Sequence, residues 1–417
     1  MSSKESLIKT LNHEQPERMV VDFGGTPVTG IHVLMVKQLR DHFGLEKKPV
    51  KVTEPYQMLG EIDSDLQEAM GVDVVGISPP SDMFGNKLDN LKEYRTPWNQ
   101  EVLVPGSFTV KKDNNGDIIL FPQGDDTVPP SAKMPKASYF FDAINRQQPI
   151  DDANLRPEDN LEEFSVMSDE DLVYWKKSIG IVSGNDRGVV ANFGWTAIGD
   201  IALVPAMNLK HPKGIRDVSD WYMSTLMRSD LLHEVFEKQT DIALQNLGLA
   251  KEATGNAVDV AFICGTDFGT QDSSFCSLET FDELYAPYYK RINNWIHENT
   301  SWKTFKHSCG AVEPFMEHFI EAGFDIINPV QINAAGMDPV LLKEKYGSAL
   351  TFWGGGVDTQ KVLPFGTPEE VNAHVLKECE IFAPGGGFVF NTVHNIQANV
   401  PLQNVLAMLE AIRQFGA

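Results

Sequence analysis

Hydrophobic runs punctuate the chain, and each gives way to glycine or polar residues before a helical pattern begins. They are "MVVDFGG" (19–25), "VDVVGI" (72–77), "VVANFG" (189–194), "VDVAFICGTD" (258–267), "KTFKHSCG" (303–310), "DIINPVQ" (325–331), "LTFWGGGVD" (350–358) and "GFVFNTVHN" (387–395). Each is continuously apolar rather than alternating, as parallel strands covered on both faces are. Between them, residues 279–299 place Phe281, Leu284, Tyr285, Tyr288, Ile292 and Ile296 at helical spacing. Residues 311–322 and 367–382 behave alike; the latter opens with Thr367, Pro368 and Glu370, a capping box with proline at the first helical position. Eight strands alternating with helices predict an α/β fold of the (β/α)8 TIM-barrel type, with a doubly wound sheet as the rival.

One stretch breaks the rhythm. Residues 80–165 are rich in Pro, Asp and Asn, and "EVLVPGSFTVKKDNNGDIILFPQ" predicts two alternating strands turning at Asn114-Asn115-Gly116. An insertion after the second barrel strand lands at the C-terminal mouth, where barrel active sites lie. The chain is therefore expected to be one barrel domain over 1–417, with 80–165 rimming the mouth.

Composition narrows the function classes. Of 417 residues, 42% are hydrophobic and 22% charged, enough for a large core. The net charge of −23 repels phosphate backbones, so nucleic acid is not an expected partner. No apolar run is long enough for a membrane span, and the polar start "MSSKESLIKTLNHEQPER" lacks a secretory core, so a cytoplasmic protein is expected. The four cysteines, Cys264, Cys276, Cys309 and Cys379, are too scattered for a disulfide framework.

In a barrel, chemistry collects just after the strands. Asp22 follows the first strand, Asp82 the second and Asn192 the third. Asp267 and Gln271 follow the fourth, His307 and Cys309 the fifth, Asn328 and Gln331 the sixth. Trp353, Asp358 and Gln360 follow the seventh; Asn391, His394, Asn395 and Gln397 finish the eighth. Such a mouth suits a polar small molecule. The triplet Gly354-Gly355-Gly356 lacks the lysine of a phosphate loop and more simply allows close backbone approach.

His307 and Cys309 are two apart, so on a strand both aim at one point, and imidazole with thiolate suits zinc. A third ligand must come from elsewhere. His394, at another strand end, is the first candidate; Cys276 is a weaker one. Cys264 lies within a strand, and Cys379 shares an apolar helix face with Val371, Val375, Leu376 and Phe382, so both read as packing thiols. A strand-end His that binds substrate beside a small Cys would show the same spacing.

Read together, "LNHEQPERMVVDFGG", "GTDFGTQDSSFCSLETFDELYAPYYKRI", "HSCGAVEPFMEHFIEAGFDIINPVQ", "FWGGGVDTQKVLPFGTPEEV" and "PGGGFVFNTVHNIQANVPLQNVLAML" resemble the uroporphyrinogen decarboxylase superfamily. That superfamily also contains methyltransferases acting between corrinoid proteins and thiols. The decarboxylase branch implies an arginine-rich N-terminal loop, an Asp after the second strand and a His after the last. Asp82 and His394 occupy the last two places, but no arginine follows the first strand before Arg40.

The methyltransferase branch implies a zinc held by His-x-Cys and a Cys on the last strand. His307 and Cys309 match, and His394 stands where that Cys is expected. The resemblance thus implies methyl transfer between a small substrate and the corrinoid of a separate protein, because the superfamily's corrinoid-binding Asp-x-His domain is absent here. On that reading His307, Cys309 and His394 hold zinc, and Asp82, His307 and His394 are catalytic. Asp22, Asp267, Gln271, Gln331, Trp353, Asp358 and Gln397 bind substrate. The alternatives are a carboxy-lyase without cofactor, in which Asp82 stabilises a protonated intermediate and His394 donates the proton, and a non-catalytic small-molecule or corrinoid-binding barrel. Barrels of this kind often pair as homodimers, though no residue here marks an interface.

Overall fold

A computed structural model describes residues 1–416. Its centre is a sheet of eight parallel strands. These are β1 (Val20–Val21), β2 (Val74–Ile77), β3 (Gly188–Asn192), β4 (Val260–Cys264), β5 (Lys303–His307), β6 (Ile326–Asn328), β7 (Thr351–Trp353) and β8 (Phe388–Phe390). Seven lie inside runs expected to be strands, and β3 begins one residue before its run, at Gly188. The order β1-β8-β7-β6-β5-β4-β3-β2 brings first and last strands together, which a doubly wound sheet does not do. Between β1 and β2 the ladder is replaced by Asp73, whose N–H donates to Val21 O at 2.8 Å and whose carboxylate accepts from Val21 N at 3.0 Å. The result is a nearly closed barrel.

Alternation along the strands decides what faces the axis. Val20, Val74, Val190, Val260, Phe262, Phe305, Ile326, Trp353 and Val389 pack together as the barrel's own core. Leu7 and Leu11 of helix α1 (Ser3–Leu11) join that cluster and close the N-terminal end. The larger cluster lies between barrel wall and outer helices. In β5, Phe305 faces inward, so His307 does too, while Lys306 points into the wall. Gly76 is needed because a Cβ there would lie 2.2 Å from Gly25 O, where the loop after β1 crosses β2.

The expected helices form. Residues Pro368–Phe382 carry the Thr367–Glu370 capping box, and Ala286–Asn299 follow a wider turn over Phe281–Tyr285. The segment 311–322 is helical only over Glu313–Phe315 and Met316–Glu321. Among the described residues, no helix is long and apolar enough to cross a membrane.

The insertion builds two small sheets. One orders Asp142–Ala143, Ala132–Met134, Ile118–Leu120 and Val110–Lys112, and the last two form the hairpin turning at Gly116. The expected first arm is shorter than the sequence suggested. Glu101–Val104 pairs instead with Lys92–Arg95 and with Val50–Glu54, since Pro105 and Gly106 interrupt the run and Pro cannot donate to a ladder. The contribution of Val50–Glu54 was not foreseen. Both sheets touch loops that follow barrel strands: Phe141 N donates to Tyr56 O at 2.7 Å, His32 Nε2 to Tyr139 O at 3.1 Å, and Arg146 to Leu209 O at 2.6 Å.

Candidate metal and substrate site

The inward-facing residues at the strand ends form a belt of hydrogen bonds across the mouth. Asn391, after β8, donates from Nδ2 to Asp22 O at 2.7 Å. The Asp22 carboxylate accepts from Trp353 Nε1 at 2.9 Å and from Gly25 N at 2.8 Å. Trp353 O accepts from Asn328 Nδ2 at 2.7 Å, and Asn328 Oδ1 meets His307 Nδ1 at 2.6 Å.

That chain fixes the tautomer of His307. Because Asn328 uses its NH2 on Trp353, its oxygen must accept, so the proton sits on Nδ1 of His307. Nε2 is left with a lone pair, pointing at Cys309 Sγ 3.4 Å away and lying 3.9 Å from Asp267 Oδ1. Burial pushes the imidazole down to about 4, so the ring is neutral at pH 7. A neutral imidazole whose other nitrogen donates to a fixed acceptor is the state in which histidine binds metal.

Asp267, His307 and Cys309 bring one ligand atom each within 4.8 Å of one another. Loops after β4 and β5 hold them there: Cys309 N donates to Asp267 Oδ1 at 2.6 Å, Phe268 N to Ser308 Oγ at 2.9 Å, and Ala311 N to Thr270 O at 2.8 Å. Gly310 makes the approach feasible. It has φ +91°, and a Cβ there would sit 2.4 Å from the Gly269 backbone. Burial raises the Asp267 carboxyl, opposed by the Cys309 N–H. It raises the Cys309 thiol well above its ordinary value, and Asp267 adds to that.

Ligand atoms about 2.0–2.3 Å from a tetrahedral zinc lie roughly 3.5 Å apart, close to the separations here. The nitrogen, sulfur and oxygen donors also suit zinc, and three protein ligands leave a fourth position for substrate. The residues therefore fit the ion. The expected third ligand differs, however. His394 is not in the cluster; Asp267 stands in its place. The His394 ring makes no hydrogen bond among the described residues, and burial, with His307 nearby, holds it neutral at about 4. It lies near enough to feel both His307 and Asp267 without joining them.

The other expected residues divide by what they already hold. Gln331 Oε1 accepts from Gly310 N at 2.7 Å and its Nε2 donates to Gln271 Oε1 at 3.0 Å. Asp358 accepts from Gln360 N at 2.7 Å and from Asn333 Nδ2 at 3.3 Å. These amides stitch together the loops after β4, β6 and β7. Gln397 donates to Gln57 Oε1 at 3.3 Å, joining the loop after β8 to the accessory strand region. Asp82 accepts from Phe84 N and Asn86 N, each at 2.9 Å, and so closes its own loop. Asp22 and Trp353 are fully buried.

Several participants were not singled out from the sequence. Tyr222, on a helix of the long β3–β4 connection, donates to Asp267 O at 2.9 Å, whereas Asn328, which orients His307, was read from the sequence as a strand-end residue but given no role. Lys306 is wholly buried behind the cluster. Its Nζ donates to Thr266 O and His307 O, both at 2.7 Å, and lies 5.0 Å from the Phe268 ring centroid. A charged residue inside an apolar strand was the available signal for Lys306. Tyr222 had none.

The family model described as uroporphyrinogen decarboxylase (URO-D) matches residues 204–415, from the connection before β4 through β8. The chain belongs to this family. A uroporphyrinogen decarboxylase from Anaeromyxobacter dehalogenans (strain 2CP-C) is 24% identical over 189 residues, covering 44% of this chain and 48% of that protein. The match thus spans about half the length of that family member. A methyltransferase from Methanosarcina mazei superposes with a TM-score of 0.55 over 100% of both chains at 16% identity, and shares the fold.

The loops 22–32, 265–277, 308–312, 329–338 and 391–400, after β1, β4, β5, β6 and β8, contain no lysine or arginine, whereas those after β2, β3 and β7 carry Lys87, Lys210, Lys213, Arg216 and Lys361. Arg40, the first arginine after β1, is buried against Asp65 and Asp63.

Proposed function

We propose that this protein transfers a methyl group between a small substrate and the corrinoid of a separate protein, with zinc held by Asp267, His307 and Cys309. The observation that carries the reading is the Asn328-fixed tautomer of His307, whose free Nε2 faces the Cys309 sulfur at 3.4 Å. Zinc there would supply Lewis acidity toward the substrate heteroatom, lowering its affinity for a proton at neutral pH. Cys309 would give up its thiol proton on ligation. Asp267 balances charge and keeps the Cys309 backbone in place. His394 stays neutral beside the cluster, able to take or return a proton at its ring nitrogen. The whole chain acts as one barrel unit, with segment 80–165 rimming the mouth over which the corrinoid docks.

The decarboxylase reading has less support. A porphyrinogen bearing many carboxylates needs cations, and the loops after β1, β4, β5, β6 and β8, which frame the cluster, lack them. The Asp82 carboxylate is also occupied by its own loop.

The deciding assay is demethylation of methylcobalamin, followed by its visible spectrum, with thiol, amine and alcohol acceptors. Activity that depends on added zinc and falls at least ~100-fold in His307→Ala and Cys309→Ala is expected. No demethylation with any acceptor, together with coproporphyrinogen formation from uroporphyrinogen, would replace this reading with the decarboxylase.

A further inference from the structure

The belt across the mouth ends on one side at the His307–Cys309–Asp267 cluster and on the other at Asn391. Asn391 is fully buried, and its Nδ2 is used on Asp22 O. Its Oδ1 is buried with no hydrogen-bond partner. Val389, two residues earlier, packs in the barrel's own core, so alternation turns the Asn391 side chain toward the axis as well. A buried amide oxygen without a donor costs free energy unless something supplies one.

Asp22 lies directly beside it. It is a buried carboxylate whose partners are the neutral Trp353 indole and the Gly25 amide. No cation is paired with it among the described residues, and the loops after β1 and β8 carry none. A buried carboxylate of this kind attracts donors and positive charge and repels a second anion.

From these observations we infer that Asn391 Oδ1, backed by Asp22, is a specificity site for a hydrogen-bond-donating nitrogen or oxygen in a substrate that carries no negative charge. The inference rests on the methyl-transfer reading. It deepens that reading by assigning the substrate's class: an amine or alcohol whose methyl-bearing end faces the His307–Cys309 side while its donor end reaches the β8–β1 side.

The test is direct binding to the purified zinc-loaded full chain, without corrinoid, using three probes that share a methoxy end. These are 2-methoxyethylamine, 2-methoxyethanol and methoxyacetate, followed by ligand-observed NMR and titration calorimetry. The amine and alcohol should bind, with methoxyacetate at least ~10-fold weaker. Asn391→Leu should weaken both donors by about 10-fold, the worth of one buried hydrogen bond. Asn391→Asp, which keeps an acceptor oxygen, should restore both donors and favour the amine, which also covers a Leu variant that fails to fold. Equal binding of all three probes, binding of none, or donor affinity unchanged in both variants overturns the inference. Because no methyl is transferred, a negative methylcobalamin assay alongside this binding pattern sinks the proposed reaction and leaves the donor site standing.

Discussion

Removing the acceptor behind His307 should weaken zinc binding without touching any ligand. In Asn328→Ala, His307 Nδ1 loses the oxygen 2.6 Å away, and Trp353 O loses its 2.7 Å donor. The ring is then free to rotate or to move its proton to Nε2, where it cannot bind metal. One neutral hydrogen bond contributes about 1 kcal/mol, and leaving a buried group unsatisfied costs about 1–3 kcal/mol. Second-shell partners of metal-bound histidines typically account for roughly 10–100-fold in affinity. The two scales agree, so zinc affinity, measured by competition with a fluorescent chelator, should fall within that range in Asn328→Ala. Asn328→Asp keeps an acceptor for Nδ1–H and should recover most of the loss. If Asn328→Ala binds zinc as tightly as the parent chain, the tautomer does not govern the site. Equal loss in both variants would point to disruption around Trp353 instead.

Zinc binding at pH 7 should release close to one proton. His307, titrating at about 4, is protonated in only ~0.1% of molecules at that pH, whereas the Cys309 thiol is held protonated by burial. Calorimetry in buffers of different ionisation enthalpy counts the protons; a value near zero would mean that Cys309 is not a ligand, and near two that the buried Asp267 carboxyl also starts out protonated. Asp22 gives a stability signature. Its folded-state pKa, raised by burial from 3.8 to about 6, makes its contribution fully present below the unfolded value and lost as pH rises through the folded one. The shift corresponds to about 3 kcal/mol, so the difference in stability between Asp22→Asn and the parent should change by up to that amount between pH 4 and 7 in urea titrations. A pH-independent difference would show that Asp22 is not buried as a charge. Gly310→Ala forces a side chain into the Gly269 backbone at φ +91°; a loss of about 2–4 kcal/mol is expected from strain and overpacking, and an unchanged melting temperature would contradict the geometry.

The barrel was legible because its signal is repeated. Strands covered on both faces are largely apolar, and the eight runs were, Lys306 in β5 being the charged exception, each followed by a glycine or polar break that a barrel loop requires. The insertion was legible only in its sharpest feature, the Asn114-Asn115-Gly116 turn. The partner of Glu101–Val104 was not, because Val50–Glu54 lies far away in sequence, and no local pattern says which edge a short strand will join. The wider turn at Phe281–Tyr285 was hidden for a related reason. It leaves the apolar spacing of 279–299 nearly intact.

The site was legible as a set of strand ends but not as a set of contacts. His307 and Cys309 come together because a two-residue spacing on one strand fixes their relative direction. The third member of the cluster belongs to a different strand, and there sequence offers only candidates. His394 and Asp267 both follow barrel strands, and both carry suitable donors. What separates them is adjacency: β4 is the direct neighbour of β5 in the sheet, and Asp267 is bonded to the Cys309 backbone. β8 lies three places away from β5 in the strand order. A ligand from β8 must reach across the mouth, whereas one from β4 needs only the loop that Gly310 allows to close. Neighbouring strands build the tight cluster, and distant ones face it across the opening. Asn391 thus ends the belt away from the cluster, whereas His394, though it also follows β8, lies close enough to His307 and Asp267 to feel both.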